Sequence, residues 1–235
     1  QYREERELTI LLAIDVSESG IFGSSKRSKR ERLAELGALL AFSANKNGDK
    51  VGLLLFSDQV EKYLPPNKGQ KHVLRILREV LFHPNQSKGT DLNEGLRFIN
   101  RVMRRRAVVF LLSDFIIPEY ISEEESLEDL FFKELAATRR KHDLVCARIH
   151  DPCELEIPNV GLVRLEDAET GEKIIVDTSQ ATYREEYAQI QRKSREEFGK
   201  RLRRRGVDSF EFATDSDYVG TLQEFFRMRE VRRNR

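Results

Sequence analysis

From Leu8 to Ser19 the chain reads LTILLAIDVSES. Its apolar centre, Leu11-Leu12-Ala13-Ile14, has no polar alternation and is far too short to cross a membrane. Such a run is a strand covered on both faces, as found in parallel sheets. It gives way at once to Asp15, Ser17 and Ser19, an acid and two hydroxyls at alternate positions just past the strand. Hard divalent cations such as Mg²⁺ take oxygen ligands in near-octahedral geometry, and D-x-S-x-S offers three from one short segment. An ordinary polar turn would use the same residues, so other segments have to decide.

Three further buried strands are expected at Val51–Phe56, Ala107–Leu112 and Asp143–Ile149, with a last strand at Val207–Phe212. Helical spacing fills the intervals. Leu33, Leu36, Leu39 and Leu40 mark a first helix, small-faced through Gly37, Ala38 and Ala41 and ended at Asn47-Gly48-Asp49. A second helix spans Lys71–Phe82 with Val73, Leu74, Leu77, Val80 and Leu81 inward, and a short third carries Leu92, Leu96, Ile99 and Met103. A fourth covers Glu123–Lys141, with Leu127, Leu130, Phe131 and Leu135 on one face. A long charged helix, Ser179–Arg205, and a closing one, Tyr218–Arg229, complete the set. Val60–Leu64 reads as an antiparallel edge strand stopped by Pro65-Pro66. Leu162–Leu165 and Lys173–Val176, around Glu169-Thr170-Gly171, read as an inserted hairpin. Alternating strands and helices predict an α/β fold: one doubly wound domain over residues 1–235, with a mainly parallel central sheet flanked by helices.

Composition narrows the function classes. At 235 residues with 39% hydrophobic and 34% charged residues the chain is globular, and its net charge of +1 provides no global attraction for polyanions. Cys146 and Cys153 are its only cysteines, too few for a disulfide framework and in keeping with a reducing compartment. No membrane-length apolar run and no signal-peptide pattern occur. The opening QYREERE lacks a starting Met, and the chain is expected to be a piece of a longer protein.

The strand ends carry the chemistry. They read Asp15-Val16-Ser17, Ser57-Asp58, Ser113-Asp114, His150-Asp151 and Thr214-Asp215. In a parallel sheet these all fall on one edge, where ligands sit near the point of strand-order reversal. Thr90, in Gly89-Thr90-Asp91 at a helix start, would serve as an N-cap if it stood alone. Beside D-x-S-x-S and a strand-terminal Asp114 it becomes a further oxygen ligand.

Taken together, Asp15, Ser17 and Ser19 in DVSES, Thr90 in GTD and Asp114 in LLSDF resemble the metal-ion-dependent adhesion site of von Willebrand factor A domains. The segments NGDKVGLLLFS, GTDLNEGL and DPCELEIPNVGLVRLEDAETGE narrow the likeness to bacterial A-domain proteins typically encoded beside MoxR-type AAA+ ATPases. The resemblance implies a cytoplasmic, non-enzymatic interaction protein that holds Mg²⁺ (or Mn²⁺ or Ca²⁺). Ser17, Ser19 and Thr90 would contact the ion through hydroxyls, and Asp15 and Asp114 largely through water. A Glu or Asp of a protein partner would take an exchangeable position, with the AAA+ ATPase as the expected associate. One departure stands out: A domains often place Gly after the last Asp, and here Phe115 follows.

Other readings are weaker. His150, Cys153 and Glu154 form one cluster where structural zinc needs four ligands. Asp151 and Glu154 are expected to shape a loop bordering the metal site. A phosphohydrolase with Asp15 as nucleophile is the alternative enzyme, but Ser17 stands where a second acid would be expected, and no lysine closely follows a strand. The basic runs at Arg104–Arg106, Arg139–Lys141, Lys200–Arg205 and Arg232-Arg233 sit mostly at helix C-termini among acids, so neither nucleic acid nor membrane is an expected partner.

Overall fold

A computed structural model describes residues 7–21, 23–24, 26–84, 89–117, 126–166 and 173–233. The apolar runs form strands β1 (Thr9–Asp15), β2 (Lys50–Phe56), β4 (Val108–Ser113) and β5 (Asp143–His150), joined by β8 (Asp208–Ala213) and the edge strand β3 (Val60–Asn67). The sheet order is β3-β2-β1-β4-β5-β8, and every pair is parallel except β2 with β3. The chain therefore winds outward from β1 in one direction and from β4 in the other. The reversal lies between β1 and β4, where Ile14 pairs with Leu112.

Both faces are covered, which is why the inner strands β1, β2 and β4 carry continuous apolar runs. One face packs against α1 (Lys29–Lys46), α2 (Gln70–Phe82) and α7 (Tyr218–Arg233). The other packs against α3 (Leu92–Val102), α4 (Leu127–Lys141) and α6 (Ala181–Arg204). Helix α1 lies close on β1: a Cβ on Gly37 would fall 2.8 Å from Ile14 Cδ1. The hairpin is present as a separate two-stranded antiparallel sheet, β6 (Leu162–Glu166) with β7 (Lys173–Asp177). Its turn at Glu169-Thr170-Gly171 lies outside the described residues, as does the 123–125 start expected for α4. A one-turn helix, α5 (Pro152–Leu155), follows β5 and was not expected from the sequence. Among the described residues no helix is long and apolar enough to cross a membrane.

Two expectations are corrected. Pro65-Pro66 does not stop β3, which continues to Asn67 and pairs with Val51 across a register shift. Proline is tolerated there because an edge strand needs only one side of its ladder. Gly52 makes room: a Cβ would lie 2.9 Å from Pro66 Cγ and 3.0 Å from the Leu64 carbonyl oxygen. Gly52→Ala is expected to cost about 1–3 kcal/mol through overpacking, read as a lowered urea midpoint at unchanged slope. On α2, Val73, Ile76 and Val80 are buried, whereas Leu74 and Leu81 are half-exposed. The covered stripe is narrower than the apolar one, since periodicity places a face without setting its width.

Candidate metal centre

Asp15 is the last residue of β1, and Asp114 directly follows β4 at the neighbouring strand's end. Both are 5% exposed. The two parallel strands thus bring two carboxylates to the reversal point of the sheet. Asp15 Oδ1 accepts the Ser17 N–H (2.9 Å), and Oδ2 accepts the Ser113 hydroxyl (2.7 Å). Asp114 Oδ1 accepts the Ile116 N–H (3.1 Å). Burial, and then the Asp114 charge, push Asp15 up to about 6 despite the hydrogen bonds that favour its ionised form. The two buried acids are thus close enough for the charge of one to bear on the other.

The hydroxyls come from two loops. Ser17 is buried, Ser19 sits half-buried in a 3₁₀ turn over Glu18–Ile21, and their Oγ atoms lie 3.1 Å apart. Thr90 is not the cap of α3. That role falls to Asp91, whose carboxylate accepts the Asn93 N–H at 2.8 Å. The Asp91 N–H in turn donates to the Ser57 carbonyl at the end of β2 (2.9 Å), anchoring the segment beside β1. Thr90 Oγ1 is buried without a hydrogen-bond partner, and Thr90 shares a crevice with Asn93 and Ile116. Glu18 Oε2 and Asn93 Oδ1 are also buried and unpartnered. Such orphaned oxygens are rare in folded proteins and costly unless something satisfies them.

These five positions are therefore gathered on one sheet edge. No hydrogen bond joins Thr90 to the other four, so its membership rests on position and on its orphaned hydroxyl. Among the described residues no three His, Cys, Asp or Glu side chains gather as a metal cage. A cation here would rest on two carboxylates and hydroxyls, a hard-oxygen set that fits Mg²⁺.

The roles of two contributors were missed in the sequence. Ser113 orders Asp15 and accepts the Phe115 N–H (2.9 Å); its place beside Asp15 is a consequence of the β1–β4 register. Lys29 is buried, and its ammonium donates to Asp114 Oδ2 (2.7 Å) and Glu154 Oε1 (2.6 Å). Burial opposes that charge, but Asp114 and Glu154 outweigh it and raise the Lys29 pKa. The available signal was the capping box of Ser28 and Glu31, which starts α1 at Lys29. Glu154 arrives on α5, whose cap Asp151 also binds Ser24, Cys153 and Thr214. Those bonds outweigh burial and hold Asp151 below the usual carboxylate range. Glu154 is thus linked to Asp114 through Lys29, and Asp151 caps the turn that carries it.

The remaining candidates have settled surroundings. Cys146 is buried, and burial pushes its thiol up, while His150 is pushed down to about 4 by burial and the Arg195 charge. Several bases of the basic runs are engaged. Arg201 pairs with Glu128 and Asp129 and lies over the Phe132 ring, and Arg139 donates to the Gly206 carbonyl.

The fold is shared with known structures. BatB of Bacteroides thetaiotaomicron, a conserved hypothetical protein, superposes with a TM-score of 0.57 at 14% identity, over 96% of this chain and 99% of that one. An aerotolerance-related membrane protein of Bacteroides fragilis NCTC 9343 gives 0.56 at 14% identity, over 94% and 99%. In sequence, an uncharacterised protein of Mycobacterium tuberculosis (strain ATCC 25618 / H37Rv) is 26% identical over 229 residues, 96% of this chain and 68% of the relative. Another, from Mycobacterium avium, is 26% identical over 170 residues, 71% and 93%. The family model described as protein of unknown function DUF58 matches residues 1–197, and the chain belongs to that family.

Proposed function

We propose that this domain holds Mg²⁺ at its sheet edge and uses it to bind the carboxylate of a protein partner. One observation carries the reading: Asp15 and Asp114 are both buried at the strand-order reversal, the charge of one bearing on the other, with the Ser17–Ser19 hydroxyl pair on the segment that follows Asp15. Ser17, Ser19 and Thr90 would face the ion directly, while Asp15 and Asp114, each already hydrogen-bonded on both oxygens, would act largely through water. When bound, the ion supplies a Lewis-acidic position at which a Glu or Asp side chain replaces water. The domain is then a metal-dependent interaction module. Its expected partner, by the resemblance in NGDKVGLLLFS, GTDLNEGL and DPCELEIPNVGLVRLEDAETGE, is a MoxR-type AAA+ ATPase in the cytoplasm, acting in assembly or remodelling of complexes.

Thr90→Val keeps the shape and removes the orphaned hydroxyl. It is expected to weaken Mg²⁺ binding at least about tenfold by calorimetry, and unchanged affinity in the folded variant would remove Thr90 from the site. Co-purification of a MoxR-type ATPase should require Mg²⁺ and disappear with chelator; retention in chelator would reject the partner half of the proposal.

A second reading has one observation in its favour. Lys29, on a helix and not after a strand, does bring a cation to the paired acids, as phosphoryl chemistry would need. Against it, both Asp15 oxygens are occupied as acceptors, a poor arrangement for a nucleophile. Release of phosphate from an aryl phosphate, lost in Asp15→Asn, would favour the enzyme; no release from the wild type would dismiss it.

A further inference from the structure

Lys29 breaks two local rules at once. A lysine at the first turn of a helix opposes the helix dipole, and a fully buried ammonium pays heavily for lost hydration. Its side chain is nevertheless only 1% exposed and is held by Asp114 and Glu154. Such conflicts gather at functional sites.

The geometry says what this arrangement does. Asp114 Oδ2 is taken by Lys29 and Oδ1 by the Ile116 N–H, so Asp114 has no free edge for a bidentate grip. Glu154, the second carboxylate on the same ammonium, is tied off in the same way, Oε1 by Lys29 and Oε2 by the Asp151 N–H. Ca²⁺ favours six to eight oxygens, with carboxylates often bidentate, whereas Mg²⁺ keeps its waters and takes one or two carboxylates. We infer that Lys29 is the specificity-determining residue of the sheet-edge site: it withholds Asp114 and Glu154 oxygens and so favours Mg²⁺ over Ca²⁺. The inference rests on the proposed cation site.

Calorimetric titration of MgCl₂ and CaCl₂ into the 235-residue chain tests both. Lys29→Met frees two carboxylates and is expected to tighten Ca²⁺ at least about tenfold more than Mg²⁺. Glu154→Gln leaves the whole ammonium charge on Asp114 and is expected to weaken both ions by roughly fivefold. Glu154 is partly exposed, so this variant decides the matter if Lys29→Met does not fold. Wild-type Mg²⁺ binding with an unchanged Ca²⁺/Mg²⁺ ratio in folded Lys29→Met, or unchanged affinities in Glu154→Gln, would overturn the role of Lys29 alone. Binding of neither ion by the folded wild type would overturn the site itself.

Discussion

Asp15→Asn is expected to stabilise the metal-free protein while abolishing its response to Mg²⁺. The buried Asp15 carboxyl is pushed up to about 6 from its ordinary 3.8. Between those values the folded state binds more protons than the unfolded state, so stability falls as pH rises from about 4 to about 6. Above that window the full cost is present. It amounts to at most about 3 kcal/mol at pH 7, from roughly two units at 1.4 kcal/mol each. Asparagine carries no charge yet can still accept the Ser17 N–H and donate to Ser113 Oγ, so both hydrogen bonds survive. In chelator, the variant should unfold at higher urea than the wild type at pH 7, and the difference should shrink toward pH 4. Excess Mg²⁺ should raise the wild-type midpoint through binding linkage and leave the variant unmoved. Equal stability of the two proteins in chelator at pH 7 would show that Asp15 bears no such charge cost.

The second large effect lies one residue past Asp114. Phe115 has φ +53°, the left-handed region that glycine adopts freely and a bulky residue does not. Its ring is buried against Phe131 (6.0 Å between centroids) and Phe198 (5.3 Å). Strain in the backbone at this position is offset by the aromatic cluster beneath. Phe115→Ala removes the packing and keeps the strain, and should cost about 3–5 kcal/mol. Phe115→Gly removes both. It should be less harmful than alanine by roughly 0.5–1 kcal/mol, the reverse of the usual order. Urea unfolding of the two variants decides this; alanine being the milder change would mean that the backbone relaxes out of the left-handed region.

Much of this was legible in the chain because a strand covered on both faces must be apolar along its length. Leu11–Ile14, Val51–Phe56 and Val109–Leu112 could scarcely be anything else, and their polar exits followed. Asp15, Ser17 and Ser19 were conspicuous because they are contiguous with such a strand, and Asp114 for the same reason. Lys29 was hidden in KRSKRER, where a buried lysine looks like any solvated one until tertiary partners are known. Ser113 was overlooked because its role depends on the β1–β4 register, which is not a local property. Leu74 and Leu81 looked like core because a helix face was inferred without knowing how much of it the sheet would cover.

Strand β3 has a consequence for assembly. It is the outer strand on its side of the sheet, and Pro65 and Pro66 deprive it of two N–H donors in succession. A foreign strand approaching there would meet an interrupted ladder, so edge-to-edge growth into aggregates is discouraged on that flank. The same prolines that leave Val51 paired with Asn67 across a shifted register thus act as a gatekeeper. Replacing them to make a more regular strand would gain a ladder and lose that protection.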